Sequence, residues 1–181
     1  MRLHRVLPWV KGARAGTTGH PLFVPPVQGA GRLDNPEHYL VLYASDAPAG
    51  AVAEAFGNLA EWSDGLFEGR PSIPGSATVL ATYELEGAEV LDLDDAAALQ
   101  ARGLKPSDVV TRDRTVTQRW ALEVFREGRW AGARWWSYHD PRWGSFGVWA
   151  VERLRVVDVE PLSRDHPAVR EAGSVLLRLW R

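Results

Sequence analysis

In the stretch GAGRLDNPEHYLVLYASDAPAGAVAEAF, residues 29–56, three polar side chains stand eleven positions apart. They are an arginine behind a glycine pair (Arg32), a tyrosine in an apolar run (Tyr43) and a glutamate in an alanine-rich segment (Glu54). A fourth candidate, Ser137, follows two tryptophans in GARWWS. After a flexible glycine pair the backbone can approach a ligand closely, and a planar guanidinium there can grip phosphate oxygens in a two-pronged fork. A tyrosine closing an apolar strand can face its ring into a pocket and keep its hydroxyl at the wet end. A glutamate beside them could stabilise positive charge on a sugar in a transition state, or hold a ribose hydroxyl. Taken singly, each residue has a plainer explanation: a surface-loop arginine, a core tyrosine, a solvated helix glutamate, a strand serine facing water. Equal spacing does not decide between the two.

Other chemistries are excluded more firmly. The chain has no cysteine, so disulfides, thiolate nucleophiles and zinc–cysteine sites drop out. The histidines His4, His20, His38, His139 and His166 are scattered without HExxH spacing, and no metal site is expected. There is no GxSxG nucleophile elbow and no GxxxxGK[ST] phosphate loop. The Gly29-Ala30-Gly31 turn lacks a third glycine and runs into Asp34-Asn35-Pro36 instead of a helix, so it is no dinucleotide fingerprint. A net charge of -2 gives no general attraction to nucleic acid or an anionic membrane, and neither is expected as a partner. Arginines do crowd positions 112–142, most of them read as solvated charges. With no apolar run of signal-peptide or membrane-spanning length, a soluble, cytoplasmic protein is expected. Nine tryptophans must each be buried or used in stacking.

The elements that must position these residues follow from periodicity. In 181 residues, 45% of them hydrophobic, one domain over 1–181 is expected. Arg2–Leu7 alternates like a strand, and residues 8–36 form a long Gly/Pro-rich segment of the kind that is often functional. Tyr39–Ser45 reads as a buried strand. A helix then starts behind Asp46 as its cap, with Pro48 in the first turn. Its apolar stripe is Ala49, Val52, Ala53, Phe56 and Leu59, and Glu54 lies at or beyond the stripe's edge. Strands are expected in ATVLATYELEG, EVLDL, ARWWSY, SFGVWAVE and LRVVDVE. Helices are expected in DDAAALQARG, over 113–127 up to Gly128, and in HPAVREAGSVLLRLW. Strands outnumber helices without regular βαβ alternation, which predicts an α+β fold with a largely antiparallel or mixed sheet.

Order and context together resemble a known family. Arg32 in GAGR, Tyr43 in VLYAS, Glu54 in AVAEAF and Ser137 in GARWWS are similar to the pattern of RES-domain proteins, named for an Arg, a Glu and a Ser. The likeness runs from HRV (His4–Val6) to FGVWAVERLRVVDVEPLSRDHPAV near the end. It implies an ADP-ribosyltransferase-like mixed sheet with flanking helices. It also implies the toxin of a toxin–antitoxin pair that consumes NAD, by phosphorolysis or by ADP-ribosylating a protein. On that resemblance Arg32 holds NAD phosphate, Tyr43 packs on nicotinamide, Glu54 is the key carboxylate and Ser137 positions nucleotide or ribose. Arg5 is a further nucleotide contact. NAD is then a consumed substrate, no resident cofactor is implied, and the partners are a cognate antitoxin and inorganic phosphate or a protein acceptor. The chain departs from the family at Leu33 and His4, where an aromatic is more usual, and in lacking a glycine after Asn35-Pro36. These departures bear on the mouth of the pocket. A second reading is a non-catalytic domain of the same fold that binds a partner or senses a ligand.

Overall fold

The structure, a computed structural model, describes residues 1–181. In chain order the elements are β1 (Arg2–Trp9), β2 (Leu42–Ser45), α1 (Pro48–Phe56), β3 (Glu61–Trp62), β4 (Ala77–Leu85) and β5 (Glu89–Asp92). There follow α2 (Ala96–Gln100), α3 (Pro106–Val110), α4 (Arg114–Arg126), β6 (Trp130–Trp136), β7 (Gly144–Val148), β8 (Leu154–Pro161), α5 (Pro167–Val175) and β9 (Leu179–Trp180). Short 3-10 turns lie at Asp64–Phe67 and Val151–Arg153. Seven strands form one sheet in the order β5-β6-β7-β2-β1-β4-β8, and β3 pairs with β9 separately. Within the sheet only β5 and β6 run parallel. The expected α+β class with a mixed, mainly antiparallel sheet is what forms.

Several boundaries differ from the periodicity, each for a local reason. The strand expected over Tyr39–Ser45 begins only at Leu42. Tyr39 is held in a turn by its N–H to the Asn35 carbonyl at 2.9 Å. Val41 has both main-chain groups occupied by the Gln28 side-chain amide, at 2.8 and 2.9 Å, in the place of a neighbouring strand. Asp46 does not cap α1; the cap position is Ala47. Its carboxylate instead accepts from the Gly144 N–H at 2.7 Å and pairs with Arg134 at 3.6 Å, tying the start of α1 to β7 and β6. Leu59 falls beyond the end of α1 and is 44% exposed. The segment SFGVWAVE is not one strand: Trp149 and Ala150 both donate to the Ala131 carbonyl, which breaks the ladder after Val148. The short helix α3 lay below the reach of a periodicity argument.

The last helix also stops early. The Arg178 N–H bonds the Gly173 carbonyl and the Leu177 N–H bonds the Ser174 carbonyl, a Schellman ending in which Leu177 takes the left-handed conformation (φ 53). Glycine is favoured there because a Cβ is strained, and the Leu177 side chain is 85% exposed, so it contributes little packing. Leu177→Gly is therefore expected to stabilise the fold by about 0.5–1 kcal/mol, against glycine's greater freedom in the unfolded chain. Urea denaturation checks this, and a loss of stability would show that the leucine is held by contacts.

Three apolar clusters fill the molecule. One lies along a single face of the sheet and includes Leu3, Leu42, Val79, Tyr83, Phe146 and Leu154. The opposite face carries two. In one, α2, α3 and α4 cover β5 and β6 through Leu91, Leu99, Val109, Trp120, Val124 and Trp135. In the other, α1 and α5 cover β4 through Val52, Ala53, Leu80, Val169 and Ala172. No tryptophan is exposed: Trp62, Trp120, Trp135 and Trp143 are buried and the rest half-buried. The two helical groups leave a seam between them. Along it β1 and β2 meet at a single register pair, His4 with Ser45, whereas β1 and β4 pair over their whole length. No helix is long and apolar enough to cross a membrane.

Candidate functional site

Where the ladder between β1 and β2 stops, a cleft opens. Arg5 and Val6 of β1, and Tyr43 and Ala44 of β2, would face each other across a continued ladder and instead line a cavity of about 260 Å³. Ala51, Glu54 and Ala55 of α1, Trp135 of β6, and Ser145 and Phe146 of β7 complete it with His4.

Glu54 is the carboxylate of this cleft. It projects from α1 just past the buried run Ala49–Ala53, so the helix packs one face and presents Glu54 from its edge. Its Oε1 accepts from the Ser137 hydroxyl at 2.7 Å and from the Ser145 hydroxyl at 3.0 Å. Both serines are buried, at 2% and 5% exposure, so the plainer reading of Ser137 as a solvent-facing strand serine is overturned. Ser137 lies just past β6, its N–H bonded to the Trp143 carbonyl at 2.7 Å and its Oγ accepting from the His139 N–H at 3.2 Å. Two fixed hydroxyls therefore set the direction of an otherwise exposed glutamate.

Tyr43 forms one wall and also holds the Arg32 loop in place. Its hydroxyl donates to Asp34 Oδ1 at 2.6 Å and accepts from the Leu33 N–H at 2.9 Å. Asp34, buried at 5% exposure, accepts through Oδ2 from the Gly29 and Gly31 N–H groups at 2.8 and 2.7 Å. A Cβ at Gly31 would lie 2.3 Å from the Tyr43 hydroxyl oxygen, so the glycine is required by this knot. Burial first, then the hydrogen bond to Asp34 and its charge, push the Tyr43 hydroxyl above its ordinary value of 10.0. A raised folded-state value means that this hydroxyl's contribution is complete below about pH 10 and fades as the pH climbs beyond it. Tyr43→Phe is expected to cost about 1–3 kcal/mol, because it strands a carboxylate oxygen and the Leu33 N–H. It should also reduce the alkaline loss of stability. Denaturation midpoints at pH 7 and above pH 10 measure both, and identical curves for the two proteins would rule out the hydroxyl's role.

Arg32 does not line the cleft. Its Nη1 donates to the carbonyls of Val109 and of Thr111, the latter at 2.9 Å, and Nη2 reaches the Val110 carbonyl at 3.5 Å. The guanidinium thus sits at the carbonyl end of α3, 5.9 Å from the centre of the Trp135 ring. Burial, then the neighbouring Arg114 charge, lower it from its ordinary value, while Glu54 raises it. A guanidinium has five N–H donors, and these three bonds leave Nε and one Nη2 hydrogen available. Arg5, from β1, donates to the Phe23 carbonyl at 3.3 Å and has no carboxylate partner. Phe23 belongs to the long segment after β1, part of which walls the hollow beside Arg5.

Cleft geometry thus brings together Tyr43, Glu54, Ser137 and Arg5, and leaves Arg32 over the Trp135 ring, outside the lining. Sequence reasoning missed Asp34, Ser145 and Trp135. Asp34 stood two residues after Arg32, and Ser145 stands opposite Trp135 in the β6–β7 register, a pairing that only the sheet reveals. The arginines crowded over 112–142 are in part structural: Arg134 pairs with Asp92, Asp94 and Asp46, Arg142 with Asp140, and Arg129 with Glu127.

Fold and site define an α+β protein with a carboxylate-bearing cleft at the parting of a mixed sheet. The chain belongs to the RES-domain family, whose sequence model matches residues 2–170. Among solved structures it is similar to a chain of the M. tuberculosis MbcT-MbcA toxin-antitoxin complex, with 16% sequence identity and a TM-score of 0.60. The similarity covers 96% of this chain and 88% of that one. No curated protein matches it by sequence.

Proposed function

We propose that this chain, acting as one RES-type domain over 1–181, is an NAD-consuming enzyme and the toxin of a type II toxin–antitoxin pair in the cytoplasm. The observation that carries the reaction is Glu54, aimed by two buried serine hydroxyls into a cleft lined by Arg5, a cation without an acidic partner. Breaking the bond between ribose C1′ and nicotinamide sends the electron pair to the ring nitrogen. A cationic pyridinium leaves as neutral nicotinamide, and positive charge develops on the ribose. A fixed carboxylate beside that carbon stabilises the charge without reorganising, and the cleft needs neither metal nor thiol to do so. Tyr43 supplies an aromatic wall for the nicotinamide, Ser137 holds Glu54, Arg5 faces the phosphates from the cleft lining, and Arg32 acts on them from outside that lining through its free Nε and Nη2 hydrogens. Ser145 shares the role of Ser137. NAD is consumed, so no resident cofactor is required.

Family membership and the likeness to a chain of a toxin-antitoxin complex support the assignment as a toxin with a cognate antitoxin. Purified protein incubated with NAD should release nicotinamide. Dependence on added inorganic phosphate marks phosphorolysis, and label transfer from adenine-labelled NAD to protein marks ADP-ribosylation. No nicotinamide release under any of these conditions would leave a non-catalytic binding domain.

A further inference from the structure

Three hollows along β1 share lining residues. The cleft shares Arg5 and Val6 with a smaller cavity of about 150 Å³, which also takes in Thr18, His20, Phe23 and Arg70. A groove of about 470 Å³ then joins Arg70 back to Val6, Glu54 and Ala55. Arg5 and Arg70 therefore both line the smaller cavity, and each also lines a neighbouring hollow with Glu54. Neither forms an ion pair with a carboxylate, as Arg102, Arg134 and Arg155 do. The Arg70 side chain makes no hydrogen bond, although Glu54 and Glu68 line the same groove. Burial lowers the Arg5 guanidinium from its ordinary value, the Tyr83 hydroxyl opposes this in part, and the neighbouring Arg70 charge adds to the lowering.

The backbone that presents Arg70 is held in place. Its N–H donates to Ser76 Oγ at 3.0 Å, and its carbonyl accepts from the Ile73 N–H at 2.8 Å. Glu68 is bridged to Ala77 at the start of β4, and its carbonyl accepts from the Thr78 hydroxyl at 2.7 Å. Arg70 is thus a long cationic arm on a fixed base, aimed at a hollow that already contains a second guanidinium.

We propose that Arg5 and Arg70 form a phosphate subsite beside Glu54, which takes a phosphoryl group of the bound dinucleotide or a free inorganic phosphate. Two guanidinium groups lining one cavity suit the oxygens of a tetrahedral dianion, and the mutual repulsion of the cations is relieved when an anion enters. Its assignment to the reaction rests on the function proposed above; binding itself does not require turnover.

Calorimetric titration of the full chain with inorganic phosphate, with ADP-ribose and with adenosine tests the subsite. Wild type is compared with Arg70→Gln and Arg70→Lys. Arg70 is exposed, so both variants should fold, and circular dichroism verifies this. Arg70→Gln is expected to weaken the phosphate-bearing ligand by about tenfold or more, to leave adenosine unchanged, and to be partly rescued in Arg70→Lys. Weakening confined to inorganic phosphate identifies the free anion as the occupant; weakening of ADP-ribose identifies the nucleotide phosphate. Wild-type affinities in Arg70→Gln for both ligands, or no binding of either to the wild type, would overturn the subsite. Failure of the proposed reaction reads differently: phosphate binding sensitive to Arg70 in a protein that releases no nicotinamide.

Discussion

Glu54→Gln is expected to reduce nicotinamide release by about a hundredfold to a thousandfold while leaving the fold intact, an effect of about 3 kcal/mol on the barrier, by analogy with a removed oxyanion-hole donor. The structural half of this expectation follows from the hydrogen bonds. The glutamine carbonyl oxygen can still accept from the Ser137 and Ser145 hydroxyls, and the side chain is exposed, so stability should change by no more than about 0.5 kcal/mol. What the substitution removes is the negative charge facing the ribose. The measurement is single-turnover nicotinamide release alongside a thermal denaturation curve. Wild-type turnover in a folded Glu54→Gln protein would reduce Glu54 to a surface residue that two serines happen to touch.

Arg32→Lys comes second in size, and it should act on two quantities at once. Arg32 joins the loop after Gly31 to the carbonyls of Val109, Val110 and Thr111. A single ammonium cannot span three carbonyls as the planar guanidinium does, and the two N–H groups left free in arginine vanish as well. Losing one charged hydrogen bond to a carbonyl costs about 1.5–3 kcal/mol, and the stability loss should fall in that range. Because the same loop carries Leu33 and Asp34, which hold the Tyr43 hydroxyl, the KM for NAD should also rise by about tenfold, equivalent to ~1.4 kcal/mol. A lysine variant with wild-type stability but weaker NAD use would place Arg32 on the phosphates alone. One with lowered stability and unchanged kinetics would make it a strut between loop and helix. Both changes together are the expected result.

Most of the scaffold could be read from periodicity because burial alone writes that signal. The long helix α4 showed its face through Trp120, Ala121 and Val124, all buried. Segments misread were those in which a side chain supplies what a regular neighbour would have supplied. Gln28 occupies the main chain of Val41, Asp46 leaves its cap position for Gly144, and Leu177 sits where glycine was favoured. None of these follows from local pattern, since each partner is distant in sequence or the residue is atypical for its place. The same holds for the site. Tyr43 and Glu54 were visible as residue types at the ends of recognisable elements. Asp34 and Ser145 were not, because their importance lies in the atoms they touch.

The lone His4–Ser45 pair between β1 and β2 has a mechanical consequence. The sheet is two stiff leaves on a narrow spine: β1, β4 and β8 on one side, and β2, β7, β6 and β5 on the other. The cleft straddles that spine, with Arg5 on the first leaf and Tyr43 and Ser145 on the second. Any molecule gripped by both leaves acts as a clasp, so binding energy is converted into rigidity of the whole plate. Amide exchange along β2 should therefore slow on occupancy, while the pairs between β1 and β4, already continuous from Arg2 to Trp9, have little left to gain.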